Sequence, residues 1–136
     1  QFAWSLCLDE SIESAFVLDE AHTQILTAKS AERVAQYVRR SRKYHNVCTI
    51  GTQEPKDFAK DEILEHGKAI FNNCVYKMAM HLEWDGVKEL SKLITLNENE
   101  MGLIEQLNMG DALFVCGNRR IPIHVLPTQN ELKEIA

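Results

Sequence analysis

The residues best suited to chemistry are two adjacent carboxylates, Asp19 and Glu20, which directly follow the apolar run Ala-Phe-Val-Leu at residues 15–18. A short apolar run before a polar turn predicts a strand that is buried on both faces. Open α/β sheets bind their ligands at the carboxyl ends of such strands. There Asp19 can hold Mg²⁺ through its water shell, and Glu20 can orient or deprotonate an attacking water. The pattern is that of a Walker B element, although a buried strand ending in a solvated acidic pair would have the same sequence.

A second apolar run, residues 47–50, leads into a Gly-Thr-Gln turn that ends at Gln53. If this strand neighbours the first one, Gln53 lies beside Glu20 at the same sheet edge. A side-chain amide there can sense a γ-phosphate or hold the attacking water, because it offers both a donor and an acceptor. The alternative is a glutamine in an ordinary turn before Pro55. We predict that Asp19, Glu20 and Gln53 converge on one site.

Basic residues at the end of a long helix supply a third kind of candidate. Cations favour helix carboxyl ends, which explains most of the Arg-Arg-Ser-Arg-Lys run at residues 39–43 as a solvated terminus. Arg42, however, lies four residues after Val38, on the apolar side of the predicted helix. Since the helix runs back from the ligand edge at about 1.5 Å per residue, Arg42 should lie roughly 15–20 Å from Asp19. Arg42 is therefore predicted to serve a neighbouring subunit, either as an arginine finger or as an interface residue, with Lys43 beside it.

Two further arginines, Arg119 and Arg120, are rivals for that role. They occupy the turn of a predicted hairpin. They would lie at the edge of the ligand crevice if the fourth strand ran parallel to the others.

Helices and strands alternate along the chain, which positions these candidates. Strands are predicted at residues 15–18, 47–50, 74–82, 112–116 and 121–126; helices are predicted at 2–12, from an N-cap at Ser30 to about 44, at 60–72, 85–93 and 98–107, and after Pro127. In the Ser30 helix, Ala31, Val34, Ala35 and Val38 form a core face. Strands separated by helices indicate an α/β fold with a mostly parallel sheet, flanking helices and a final antiparallel hairpin.

The amino-acid composition of the chain argues against several classes of protein. The 136 residues are the size of one domain, and a formal net charge of -5 argues against a general basic coat for nucleic acid. The four cysteines are widely separated, which indicates buried thiols rather than disulfides or a zinc site. The histidines, including His22, show no metal-pair spacing and are interpreted as surface or core residues. No apolar run approaches the length of a membrane span.

Three motifs in this order and spacing resemble the ATPase domain of the large conjugation and type IV secretion ATPases. They are Leu-Asp-Glu-Ala-His at 18–22, the basic run at 39–43 and Gly-Thr-Gln at 51–53; the Gly-Asp-Ala-Leu-Phe-Val segment at 110–115 resembles the carboxyl-terminal end of the same domain. The resemblance implies a RecA-like fold and ATP with Mg²⁺. It also implies a homohexamer at the cytoplasmic face of the membrane, contacts with other secretion-system components at the inner membrane, and transfer of DNA or protein. From the residues and the resemblance together we expect catalysis by Glu20, Gln53 and Arg42, Mg²⁺ binding by Asp19, and nucleotide contacts by Asp19, Glu20, Gln53 and Lys43.

The chain departs from the family in one respect, because it contains no G-x-x-x-x-G-K-[ST] loop; Gly67-Lys68 is followed by Ala69. Without a loop that cradles phosphate, nucleotide binding should be weak, so we expect that this chain alone does not hydrolyse ATP. The chain also begins without Met. We expect residues 1–136 to be a single α/β domain, the carboxyl-terminal portion of a RecA-like ATPase domain whose loop lies upstream.

Two alternatives stay open. One is a non-catalytic RecA-like interaction module that kept the fold and lost turnover. The other is a fragment of a DEAH-type helicase, although those proteins continue with Ser-Ala-Thr where this chain has Gly-Thr-Gln.

Overall fold

The computed structural model describes residues 11–135, which divide into two compact units. The first unit contains the described residues up to Cys74 together with residues 88–95; the second contains residues 75–87 and those from Leu96 onward. The helix predicted at 2–12 lies almost entirely outside the described residues. The assignment of the whole chain to a single domain stays a prediction. No helix within residues 11–135 is long and apolar enough to cross a membrane.

The first unit contains a two-stranded parallel sheet. Strand β1 (Ser14–Leu18) pairs with β2 (Asn46–Ile50), with Ser14 opposite Asn46 and Leu18 opposite Ile50. Helix α1 (Ala28–Ser41) connects them, because parallel strands need a crossover rather than a tight turn. The predicted adjacency of the two strands is confirmed, and both carboxyl ends therefore lie at the same sheet edge.

The prediction that these strands are buried on both faces is wrong. Val17 and Val47 are 67% and 65% exposed, whereas Leu18 and Ile50 on the opposite face pack against the core. In the described part of the chain the sheet has two strands and no layer over the Val17 face. The apolar side chains therefore alternate between core and solvent, a pattern that the continuous apolar runs did not reveal.

Helix α1 buries the predicted face, with Ala31, Ala35 and Val38 each at most 7% exposed. Its N-cap, however, is Thr27 rather than Ser30. The Thr27 side chain accepts the Ser30 N–H, and the Ser30 side chain accepts the Thr27 N–H, in a capping box. Ser30 thus fills the third helical position, and the helix begins three residues earlier than predicted.

Two further helices complete the first unit. Pro55 begins the short helix α2 (Pro55–Phe58) instead of only breaking the chain, because proline suits the first helical turn. Helix α3 (Leu64–Asn73) starts later than predicted. The core of the unit consists of Ala21, Ile25, Ala31, Ala35, Val38, Phe58, Ala59, Ile63, Ala69, Ile70 and Leu93.

The second unit contains a separate three-stranded antiparallel sheet in the order β3 (Tyr76–Ala79), β4 (Asp111–Cys116), β5 (Arg119–His124). Its remaining elements are α4 (Trp84–Leu93), whose first residues belong to this unit and the rest to the other, α5 (Glu98–Gln106) and α6 (Gln129–Ile135). The predicted hairpin is confirmed, and it turns at Gly117 with φ +56°.

The third strand pairs antiparallel with β4 and belongs to the hairpin sheet. A parallel arrangement was expected because a single helix between two strands brings the chain back to the same end of the sheet. Two helices, α4 and α5, separate β3 from β4, so this rule does not apply to them. The predicted fold class is confirmed as mixed α/β with a short parallel sheet, flanking helices and an antiparallel sheet at the end.

Candidate functional site

The carboxyl ends of β1 and β2 bring the predicted acidic and amide residues together. Asp19 and Glu20 directly follow β1, and Gln53 lies in the turn that follows β2. Gln53 Nε2 donates a hydrogen bond of 2.5 Å to Glu20 Oε1. The predicted convergence of these side chains on one edge of the parallel sheet is therefore present in the structure.

Two backbone hydrogen bonds hold this edge beyond the last paired residues of the strands. The Gly51 N–H donates to Leu18 O, and the Ala21 N–H donates to Gly51 O, both at 2.9 Å. A Cβ at Gly51 would lie 3.1 Å from Asp19 Oδ1. Glycine at this position therefore lets the second strand approach the carboxylate of the first.

Glu20 has a left-handed backbone, with φ 48° and ψ 48°. This region is uncommon for residues with a Cβ and persists where the surroundings determine it. Here the Glu20 N–H donates to Asp19 Oδ1 at 2.9 Å, and the Glu20 carbonyl accepts both the N–H and the hydroxyl of Thr23. The turn thus fixes the direction in which the Glu20 side chain leaves the strand.

His22 also belongs to this edge, which the sequence interpretation missed. Its Nδ1 lies 3.3 Å from Glu20 Oε2 and 3.5 Å from Thr52 Oγ1. Glu20 Oε2 is closed off from solvent and forms no hydrogen bond with any described residue. The signal in the sequence is a histidine two residues after an acid, which the absence of metal-pair spacing does not exclude from the site.

The carboxylate of Asp19 is an oxygen donor, and its chemistry fits the predicted role of binding Mg²⁺. Its carboxylate is exposed, and one oxygen is already oriented by the Glu20 N–H. Among residues 11–135 no group of three or more His, Cys, Asp or Glu side chains could hold a metal ion. A single carboxylate is nevertheless sufficient for Mg²⁺, which keeps several waters and takes its other ligands from substrate phosphates.

Arg42 and Lys43 lie away from this edge. They form a short 3₁₀ turn (Arg42–Tyr44) just before β2 begins at Asn46, the end of the strand opposite to Gln53. Both are exposed, and Lys43 Nζ lies 5.5 Å from the centroid of the Tyr44 ring. This separation agrees with the expectation that Arg42 cannot reach the site of its own chain.

The prediction that Arg42 lies on the apolar side of its helix is wrong. Ser41 is the buried residue at this point, and its hydroxyl donates to Val38 O. The backbone tightens from α to 3₁₀ after Ser41, and the smaller number of residues per turn rotates Arg42 away from the core face.

Arg119 and Arg120 are the first two residues of β5 in the second unit. Their predicted place at the crevice depended on a fourth strand parallel to the others, and β4 instead belongs to the antiparallel sheet. Arg120 Nε lies 3.5 Å from Glu100 Oε1, and a guanidinium nitrogen donates to Gly117 O at 2.8 Å. These contacts connect Arg120 with the hairpin turn and with helix α5 of its own unit.

The cysteines are less buried than predicted. Cys48, Cys74 and Cys116 are half-buried thiols, and Cys7 lies outside the described residues. Cys48 and Cys74 nevertheless pack against the core of the first unit.

No protein-family model and no curated protein matches the chain. Among solved structures, VirB4 of Thermoanaerobacter pseudethanolicus matches with a TM-score of 0.84 and 26% sequence identity, covering 97% of this chain and 36% of that chain. The chain thus spans about a third of the length of that neighbour. The resemblance predicted from the sequence motifs is confirmed, and over nearly its whole length this chain is similar to one part of VirB4, a type IV secretion ATPase.

Proposed function

We propose that this chain is part of the ATPase of a type IV secretion or conjugation system, in which Asp19, Glu20 and Gln53 form one half of the site for ATP hydrolysis. The observation that carries the proposal is the meeting of these three residues at one edge of a parallel sheet, with Gln53 bonded to Glu20. The similarity to VirB4 supports an ATPase parent protein.

Each residue has a role that follows from its chemistry. The exposed Asp19 carboxylate would hold Mg²⁺, and the bound ion would supply positive charge to the phosphate oxygens. Glu20 accepts the proton of the attacking water or orients it. The Gln53 amide, released from Glu20, can donate to a phosphate oxygen and accept from the same water.

Arg42 and Lys43 complete the proposal from outside the chain's own site. We assign Arg42 to the nucleotide of an adjacent subunit, and Lys43 to the same nucleotide or to the contact between subunits. Both are exposed at the edge of the sheet opposite to Glu20, which suits a contact in trans. The proposal includes a homohexamer at the cytoplasmic face of the inner membrane that contacts other secretion-system components and moves DNA or protein.

A non-catalytic RecA-like module that kept the fold and lost turnover is the second candidate. The two candidates differ in one measurable property. An ATPase subunit hydrolyses ATP in a manner that depends on Glu20, and an interaction module does not.

Steady-state phosphate release by the full-length protein tests the proposal. Glu20→Gln should lower the rate by about 10²–10⁴-fold, because an amide cannot accept the proton of water. Asp61→Asn, the corresponding carboxylate-to-amide change at an exposed acid of the same unit, is the control and should leave the rate unchanged. Equal rates in the wild type and Glu20→Gln would contradict the proposal.

The 136-residue chain by itself should release no phosphate, since it lacks the phosphate loop. Turnover by this chain that disappears on Glu20→Gln would overturn that expectation.

A further inference from the structure

The two oxygens of the Glu20 carboxylate have different surroundings. Oε1 accepts the hydrogen bond from Gln53 at 2.5 Å. Oε2 is closed to solvent and has no hydrogen bond with the described residues, although His22 Nδ1 lies only 3.3 Å away. A water-excluded carboxylate oxygen without a donor is costly, so a small movement of the His22 ring would be favourable.

We propose that His22 is a positioning residue for Glu20: the Nδ1–H group of His22 donates a hydrogen bond to Glu20 Oε2 and holds the carboxylate in place. The inference rests on the proposed role of Glu20 in hydrolysis. A carboxylate accepts hydrogen bonds and cannot donate them, so the imidazole must supply the proton. When Gln53 turns from Glu20 to the phosphate or the water, His22 keeps the carboxylate in place. Glu20 can then present its free oxygen to the water without losing its orientation.

Thr52 lies beside the same ring nitrogen of His22 that faces Glu20. Its hydroxyl oxygen lies 3.5 Å from the same Nδ1 and accepts the N–H of Glu54 at 3.2 Å. His22 itself lies in the 3₁₀ turn that follows the left-handed Glu20, and its side chain is 25% exposed. The ring therefore joins the two strand ends and faces Glu20 with one nitrogen.

The proposed contact involves Nδ1 of His22 rather than Nε2, and substitutions in the full-length protein can distinguish these two positions. Asn places its amide nitrogen near the position of Nδ1, whereas Gln places it nearer to Nε2. His22→Ala and His22→Gln should each lower kcat about tenfold or more with KM for ATP within about twofold, because misplacing a reacting group costs rate rather than binding. His22→Asn should recover most of kcat. His66→Ala, at a half-buried histidine on α3, is the matched control and should have no effect.

A second readout does not depend on turnover. In long-range ¹H–¹⁵N spectra of the 136-residue chain, Glu20→Gln should shift the ring nitrogens of His22, and Asp61→Asn should not. Unchanged His22 signals in Glu20→Gln would overturn the contact.

The failures of the two proposals can be separated. Loss of turnover in Glu20→Gln together with a normal kcat in His22→Ala overturns the positioning role and leaves the proposed function standing. Equal loss in the Asn and Gln variants also overturns it, because the effect would then not depend on the Nδ1 position. Turnover that does not depend on Glu20 overturns both.

Discussion

The hairpin of the second unit and the strand-end site of the first unit differ in how their acidic side chains are paired. In the antiparallel unit two acids have a basic partner: His124 Nδ1 lies 2.6 Å from Asp111 Oδ1, and Arg120 Nε lies 3.5 Å from Glu100 Oε1 on helix α5. In the parallel unit, Asp19 is exposed and Glu20 keeps an oxygen without a hydrogen bond in the described residues. Acids that are paired with basic side chains stabilise a fold, whereas carboxylates with unused hydrogen-bonding capacity are suited to binding a ligand.

Backbone conformation shows the same contrast. Both positions with positive φ in the antiparallel unit, among the described residues, are glycines: Gly110 and Gly117. In the parallel unit the left-handed positions are Glu20 and His45, which carry a Cβ. A strained residue of this kind costs on the order of 1–3 kcal/mol and tends to occur where a side chain must be aimed. Only the first of them lies at the candidate site.

The largest expected effect concerns the arginines of the two units. Under the proposed function, Arg42→Ala in the assembled full-length protein should lower ATPase activity by about 10³–10⁵-fold with nearly unchanged nucleotide affinity, because an arginine finger acts on charge that develops in the transition state. Arg120→Ala should change activity little, since Arg120 pairs with Glu100 within its own unit. Turnover and nucleotide binding of Arg42→Ala, Arg119→Ala and Arg120→Ala would be compared.

Normal turnover of Arg42→Ala in an intact oligomer would refute the finger assignment. A loss that accompanies dissociation of the oligomer would instead identify Arg42 as an interface residue. A selective loss in Arg119→Ala or Arg120→Ala would transfer the role to the hairpin.

The next prediction compares how substitution of one helical glycine in each unit changes the stability. A Cβ at Gly67 in α3 would lie 2.2 Å from the carbonyl oxygen of Phe58, whereas a Cβ at Gly102 in α5 would meet nothing within 4 Å. Gly67→Ala should lower the free energy of unfolding by about 1–3 kcal/mol or more through overpacking. Gly102→Ala should raise it by about 0.4–1 kcal/mol, since alanine favours the helix. Urea unfolding of both variants checks the pair, and similar values for both would contradict the packing described for Gly67.

The smallest effect concerns the pH dependence of the hairpin. The hydrogen bond with His124, followed by the backbone N–H of Asn108, lowers the pKa of Asp111. A carboxyl group with a lowered pKa in the folded state contributes stability above its unfolded pKa, near 3.9, and that contribution is lost as the pH falls through the folded pKa. Asp111→Asn should therefore reduce stability above about pH 4 and converge with the wild type in stronger acid.

Unfolding midpoints measured across this range in the wild type, Asp111→Asn, His124→Ala and the double variant would test the pair. A double variant that loses the sum of both single effects would show that the two side chains do not interact.

The candidate site could be predicted from the sequence more accurately than the pairing of the strands into sheets. An apolar run followed by an acidic pair, and a second run followed by Gln53, sufficed to place Glu20 and Gln53 together, because parallel strands end at a common edge. The pairing of β3 was not predictable, since local patterns do not specify a strand's partner across two helices. His22 was missed because its contact with Glu20 depends on the left-handed turn between them, a conformation that the residue type of Glu20 does not indicate.

The most direct test of the central claim is a structure of the full-length protein with Mg²⁺ and a slowly hydrolysed ATP analogue. The account predicts that the γ-phosphate lies at the edge formed by Asp19, Glu20 and Gln53, with the ion beside Asp19 and the Gln53 amide turned from Glu20 towards the phosphate or its attacking water. A nucleotide bound elsewhere, with Gln53 still bonded to Glu20 and no ion beside Asp19, would contradict it.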